Sequence, residues 1–471
     1  MGSKTKFYED IMTFNSEVTG SCTLCRVHFP DQTSVKFLVD CGMYQEKANG
    51  DLNKIFEFGP EHIDFVLITH SHIDHIGKLP LLVKKGYRGP IYTSNEVADY
   101  LMKPALNDCQ AVMASDARMR GLAPVYSEND VDIVLSLLEG KAPFEEWSPH
   151  PRIKVTFFQN AHMPGAVIIL VRAKYEGFES INTLFTGDYN DKNSFFSARK
   201  LPEKVTNLPM TVIQESTYGT TNSFDCQPRF EEKVAEVIHQ KRDILLLAYS
   251  FGRTQELLYR LKCMQYKGLL PSNVPIYLDG KLGITYTRIY PMLDICERMK
   301  DFLPENLTFV SKGEHDFISY PGPKIIITSS GTGSFGPAQF YLPYFLTKEK
   351  AYVAFTGYTP EGTVGHKLQN TEFGKEIKVG GELVTKKAEV DYFTEFSAHA
   401  KADVLLNFLK DFTDLKMVLL NHGEPETKLA FAERVKNEIH PKRVGILDRE
   451  YLFRVDAYGL VKSFPTKFMM L

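Results

Sequence analysis

Tryptophan occurs once in 471 residues and cysteine seven times, an odd number with no regular spacing. A disulfide framework needs paired, recurrent cysteines, so Cys41, Cys109, Cys226, Cys263 and Cys296 are expected as reduced thiols. Cys22 and Cys25 have the spacing of half a zinc ribbon, but no second pair follows and their surroundings read as a strand, both of which argue against that site. No apolar run approaches the roughly 18 residues of a membrane span; residues 166–171 and 244–248 have only strand length. Repeats, low-complexity tracts and blocks of like charge are absent too, so order is expected nearly end to end. The N-terminal stretch 1–14 has acidic residues and no apolar core of a secretory signal. Lys6 stands where a myristoylation motif needs Ser or Thr, and a cytoplasmic location is the expectation. Charge of one sign is also lacking: 55 Lys and Arg against 58 Asp and Glu leave a net of −3. Such a molecule does not attract nucleic acid as a whole, and any polyanion must be held locally.

What is present is a folded, enzyme-like composition, 43% hydrophobic and 24% charged. The length exceeds one ordinary core and predicts two bodies with a cleft between them. Three blocks follow. Residues 1–218 carry short β-rich runs (35–39, 65–69, 91–93, 153–158, 166–173, 183–186 and 211–214) interrupted by a polar helical stretch at 94–139. Residues 219–391 alternate strand and helix: 243–248 then 253–262, 275–278 then 284–299, 324–328 then 338–346, and 351–356. That rhythm predicts a parallel, Rossmann-like sheet. Residues 392–471 return to the first style, with helices at 402–412 and 426–439 around a strand at 417–420.

The chemistry is concentrated in Phe65-Val-Leu-Ile-Thr-His70-Ser-His72-Ile-Asp74-His75-Ile-Gly77. An apolar strand delivers four metal-capable side chains to the loop at its end, before a helix expected to start near Gly77. His70 and His72 suit one metal. Asp74 and His75 suit a second at the separation of about 3.5–4 Å found in two-metal hydrolases. Further donors also follow strands. His162 in Gln159-Asn-Ala-His162 completes the first set, Asp188 in Leu184-Phe-Thr-Gly-Asp188 bridges the two, and His422 in Leu419-Leu-Asn-His422 completes the second. Asp40, ending Phe37-Leu-Val-Asp40, is read as a carboxylate that orients a ligand from behind.

This constellation resembles the metallo-β-lactamase superfamily and, within it, the β-CASP nucleases. The acidic motif of that family matches Glu215 in Val212-Ile-Gln-Glu-Ser-Thr-Tyr-Gly219. Its histidine motifs match His399 in Phe396-Ser-Ala-His399 and His422. The resemblance covers nearly the whole chain and implies a four-layered αββα sandwich with an inserted, Rossmann-like β-CASP domain at 219–391. It implies two Zn2+ ions, although the same donors accept Mn2+ or Fe2+. RNA-acting members carry His at the last motif where DNA-acting relatives carry Val, so His422 points to RNA.

The expectation is therefore a two-metal nuclease that hydrolyses phosphodiester bonds of single-stranded RNA, with no membrane partner and with homodimerisation left open. Asp74, Glu215 and His399 are the expected catalytic residues. His399, oriented by Glu215, would protonate the leaving oxygen. Arg253, His366 and Lys367 are candidates for gripping backbone phosphates, as is Ser329 in the loop Ser329-Ser-Gly-Thr-Gly-Ser-Phe-Gly336, where a tight turn is an equal reading. A DNA nuclease of the same family, and a hydrolase of a small ester or thioester, remain the alternatives.

Overall fold

Residues 167–173 read Val-Ile-Ile-Leu-Val-Arg-Ala, apolar on both alternating faces, and such a strand has to be covered on both sides. The computed structural model, which describes residues 7–15, 18–45, 47–225 and 228–466, covers it in that way. Ile169 and Val171 enter a core with Phe37, Phe65, Phe157 and Leu419. Ile168 and Leu170 enter a second core with Leu405, Leu409, Phe431 and Val435. The first core is formed between two sheets. The second lies under the helices Ala402–Lys410 and Pro425–Glu438.

One sheet has eight strands in the spatial order Gly459–Pro465, Tyr451–Asp456, Tyr8–Thr13, Thr23–His28, Ser34–Val39, Phe65–Leu67, Ile91–Ser94 and Leu138–Lys141. The other has seven, ordered Val444–Ile446, Leu415–Asn421, Met210–Glu215, Ile181–Phe185, Val167–Ala173, Ile153–Gln159 and Glu146–His150. Leu38 and Val66, alternating with the core residues Phe37 and Phe65, are fully buried as well. The helices Leu79–Lys84, Met102–Met119 and Glu128–Ser136 supply the layer on that side. The architecture is a four-layered αββα sandwich. Each large apolar side chain taken out of water here contributes about 1.5–3 kcal/mol.

The chain divides into two compact units. Residues 1–193, 197–223 and 399–471 make the sandwich, and 194–196 with 224–398 make the second unit. The second unit contains a six-stranded sheet, all of its neighbours parallel, in the order Leu307–Phe309, Ile276–Asp279, Ile325–Thr328, Asp243–Leu247, Ala351–Phe355 and Glu389–Tyr392. This is the parallel, Rossmann-like arrangement that β–α alternation predicts.

Two details differ from expectation. The helix expected over 284–299 runs instead from Lys281 to Ile289 and breaks into the single turns Tyr290–Met292 and Glu297–Met299. Pro291 has no N–H for the helical ladder and its ring crowds the preceding turn. A hairpin, Glu376–Val379 with Glu382–Thr385, was not anticipated. Its turn is Gly380-Gly381, both with positive φ (60° and 89°), the two-residue connection that matches strand twist. Cys25 lies in the strand Thr23–His28, buried beside Glu9. Lys6 and Cys226 lie outside the described residues. No described helix is long and apolar enough to cross a membrane.

Candidate metal centre

The centre is built on strand ends of the sandwich. The strand Phe65–Leu67 runs into Thr69 and His70, and His72 is extended (φ −69°, ψ 148°). That geometry caps a short helix, Ile73–Ile76, so the helix begins before Gly77 and carries Asp74 and His75 in its first turn. The turn can lie close to the neighbouring strand end only because residue 42 is glycine: a Cβ there would fall 1.6 Å from the carbonyl oxygen of Asp74. Ser21 N–H donates to that same carbonyl, and Cys41 N–H to the carbonyl of His75.

Two sets of donors share Asp188. His70, His72, His162 and Asp188 form one; Asp74, His75, Asp188 and His422 form the other, with ligand atoms in each within 4.8 Å of one another. In the first set, Nδ1 of His72 is 3.2 Å from Nε2 of His70 and 3.2 Å from Nε2 of His162. Asp188 Oδ2 stands 3.6 Å from His70 and 3.7 Å from His162. In the second, Nε2 of His75 and of His422 are 3.3 Å apart and each 3.3 Å from Asp188 Oδ1. A small tetrahedral cation with bonds of about 2.0–2.1 Å places its donors about 3.3 Å from one another, by the geometry of a tetrahedron. Asp188 Oδ1 is also buried without a hydrogen-bond partner among the described residues. A buried carboxylate oxygen left in that state is costly unless a cation meets it. The residues present therefore fit a divalent metal.

Charge in the centre follows burial and neighbours. Burial holds His70 well below the usual imidazole range, reinforced by His75, and lowers His72 to about 4. Neutral imidazoles are the form that binds metal. Burial also opposes charge on Asp188 and His75, yet here it is overcome. His422, His75 and His399 hold the Asp188 carboxyl well below the usual range, and the Asp188 and Asp40 carboxylates hold His75 well above its own.

The orienting contacts are equally specific. Asp40, at φ 62°, accepts from His75 Nδ1 at 2.7 Å and from the backbone N–H and hydroxyl of Thr69, each at 2.8 Å. Glu215 accepts the backbone N–H of Tyr189 at 2.6 Å and of Thr217 at 3.2 Å. Both of its oxygens lie 3.1 Å from Nδ1 of His399. That contact turns His399 Nε2 toward the metal donors, 3.7 Å from Asp188 Oδ2. Burial works against a charged His399, but Glu215 and Asp188 raise it to about 9. Glu215, His399 and His422 also form a third cluster of possible donors.

Sequence reasoning passed over two polar residues. Asn160 accepts the N–H of His162 (2.9 Å) and of Asn190 (3.1 Å) and donates to the carbonyls of Thr186 and Asp188. It thereby stitches together two donor loops. Thr217 places its hydroxyl 3.1 Å from Nδ1 of His422, leaving Nε2 toward the cluster. Both stand inside motifs already singled out, so their position next to a donor was the available signal.

The residues expected to meet phosphate lie in the second unit. Arg253 is buried, ion-paired to Glu256 at 2.5 Å and bonded to the carbonyl of Phe396. Its guanidinium is thus engaged inside the unit. Ser329 follows the strand Ile325–Thr328, packed against Gly280, and its loop turns tightly through Gly333 and Gly336. His366 and the exposed Lys367 lie in the short helix Val364–Gln369.

Comparison with known proteins matches these parts one by one. Residues 20–151 match the metallo-beta-lactamase superfamily, 254–368 the Beta-Casp domain, and 384–446 the Zn-dependent metallo-hydrolase RNA specificity domain. Ribonuclease TTHA0252 of Thermus thermophilus is 29% identical over 88% of this chain and 93% of its own length. The RNase J-like protein of Methanocaldococcus jannaschii is 27% identical over 84% and 89%. The transcription termination factor FttA of Methanosarcina mazei is 28% identical over 86% of this chain, which spans 66% of that relative. With the αββα sandwich, the shared-carboxylate donor sets and all three matches in chain order, this chain belongs to the β-CASP branch of the metallo-β-lactamase superfamily.

Proposed function

We propose that this chain is a two-zinc ribonuclease that hydrolyses phosphodiester bonds of single-stranded RNA in the cytoplasm. The observation that carries the reading is Asp188, a buried carboxylate facing imidazoles of both donor sets. The relatives named as ribonucleases supply the substrate class.

His70, His72 and His162 would hold one ion and Asp74, His75 and His422 the other, with Asp188 available to both sets. Ions bound there would supply the chemistry of an acidified water and of positive charge for the non-bridging phosphate oxygens. His399 gives the leaving sugar oxygen a proton from Nε2, while Glu215 keeps Nδ1 protonated and the ring in place. An alkoxide leaves phosphorus poorly, which is why a donor at that position accelerates the reaction. Asp40 fixes the tautomer of His75. Residues 219–391 act as the inserted β-CASP domain between the sandwich segments 1–218 and 392–471. Ser329, His366 and Lys367 meet backbone phosphates; Arg253, held by Glu256, is not counted among them.

The test is purified protein with matched RNA and DNA oligonucleotides labelled at either end, with and without chelator. Chelator-sensitive cleavage of the RNA is expected. Turnover of a thioester or β-lactam without any RNA cleavage would reject the reading, and equal cleavage of DNA would remove its RNA preference.

A further inference from the structure

The carboxyl ends of a doubly wound parallel sheet are where ligands meet loops, and in the second unit they carry a feature that the proposed reaction does not use. Three loops leave the adjacent strands Ile325–Thr328, Asp243–Leu247 and Ala351–Phe355. Each presents an aromatic ring to water: Phe335 is 66% exposed, Tyr249 38% and Tyr358 62%. Single exposed apolar residues are ordinary, but rings on three neighbouring loops at the ligand end of a sheet are not scattered.

The arrangement is also set before any ligand arrives. The hydroxyl of Tyr249 donates to the carbonyl of Tyr358 at 2.7 Å. One edge of the Tyr249 ring rests on Gly331 and Gly357, and a Cβ at either would come within 2.7 Å of a ring carbon. Any other residue at those two positions would displace the ring. The loop bearing Phe335 is tied to the one after Tyr358 by Gly365 N–H to the carbonyl of Thr332 (2.9 Å) and Val364 N–H to the hydroxyl of Ser334 (3.0 Å).

The chemistry around the rings selects the occupant. The loops are rich in glycine and hydroxyls, with Ser330, Thr332 and Ser334 beside the aromatics; the exposed Lys281 begins the helix Lys281–Ile289, and the exposed Lys367 lies in the helix Val364–Gln369. Flat rings interleaved with hydroxyls and flanked by cations suit unpaired bases, each of which offers a π face whatever its identity, on a phosphate backbone.

We propose that Tyr249, Phe335 and Tyr358 form a stacking platform for unpaired bases of the RNA; the proposal rests on the ribonuclease reading above. The rings add affinity without sequence preference and take no part in bond cleavage.

The test compares the full chain with a Phe335→Ala, Tyr358→Ala double variant, whose exposed side chains the fold does not need. Two quantities are measured: affinity for an oligouridine of about 12 nucleotides, a length within the range that such surfaces cover, and turnover of bis(p-nitrophenyl) phosphate, which has no strand to stack. Affinity should fall about 10- to 100-fold or more, the scale of one or two lost stacked bases. Turnover of the small diester should stay unchanged, and Trp at both positions should restore binding. Unchanged oligouridine affinity, or an abasic strand binding as tightly as oligouridine, overturns the platform while leaving RNA cleavage by the parent chain intact. A parent chain that neither binds nor cleaves RNA overturns the ribonuclease reading, and the platform with it.

Discussion

Nδ1 of His75 and Oδ2 of Asp40 lie 2.7 Å apart, and the same carboxylate takes the backbone N–H of Thr69. One acid thus sets the tautomer of a donor imidazole and the strand end that leads to it. Asp40→Asn keeps a side chain that tolerates the positive φ of this position (62°) but has one acceptor oxygen for three donors. Metal affinity should drop about 10- to 100-fold, as for other losses of a group that orients a ligand. Competition against a fluorescent chelator reads this directly. An unaltered affinity would reduce Asp40 to a structural residue.

Asp188 tests the shared-carboxylate assignment. Asp188→Asn removes a negative charge that two donor sets use together, and both metals should loosen. Expected are less than the parental metal content per chain and activity lower by about 10²-fold or more, the scale of several kcal/mol in transition-state stabilisation. The circular dichroism spectrum should be retained, since the core lies elsewhere. Full metal with near-normal cleavage would show that the assignment is wrong.

His399 and His422 should fail differently. His399→Ala removes the proton donor and should slow RNA cleavage about 10²- to 10⁴-fold with metal retained. His422→Ala should lose metal, because its Nε2 lies 3.3 Å from both His75 and Asp188. A substrate whose leaving atom is sulfur needs no proton, and should rescue the first variant but not the second. Equal metal loss in both variants, consistent with the third cluster of Glu215, His399 and His422, would make His399 a ligand instead of an acid.

Glu9 predicts a pH dependence of stability away from the metals. It is buried in the strand Tyr8–Thr13, where burial pushes its carboxyl from 4.5 up to about 7 against the opposing hydrogen bonds of Thr183 and Cys25. Between those values the folded chain holds a proton that the unfolded chain has released. Stability therefore falls as pH rises from about 4.5 to about 7, by roughly 3 kcal/mol from this group alone. Glu9→Gln should flatten that part of the profile in urea unfolding measured at pH 5 and pH 8. If the variant and the parent chain lose stability in parallel over this range, Glu9 is not the cause.

Strandedness gives a further check on the substrate. In the proposed reading the substrate is single-stranded RNA, whose unpaired bases are open to protein side chains, whereas a duplex keeps its bases stacked and paired. Single-stranded RNA should be cut at least about 10-fold faster than a blunt duplex of the same sequence, a difference of about 1.4 kcal/mol. Equal rates would rule out a preference for single strands.

The amino-acid sequence by itself determined what depends on near neighbours. Four donor side chains within six residues, set at the end of an apolar strand, announce a metal site because local chain geometry alone brings His70, His72, Asp74 and His75 to one loop. The β–α rhythm of the second unit is likewise a local periodicity, legible in runs such as Ile244–Leu247. The break at Pro291 and the turn at Gly380-Gly381 were also written locally, in residues whose chemistry is decisive, and were passed over.

Only the tertiary structure decided which distant groups meet. His75 and His422 are 347 residues apart in the chain and 3.3 Å apart in space. The parallel register of Met210–Glu215 with Leu415–Asn421, which pairs Glu215 with Asn421, carries Thr217 to the ring of His422. Asn160 ties the His162 loop to the Asp188 loop through strands that are not consecutive. Glu9 gained its shifted proton, and Tyr249 its seat on Gly331 and Gly357, in the same way. Such contacts depend on sheet order and strand register, which come from burying whole faces at once, and no short window of sequence contains the packing that selects them.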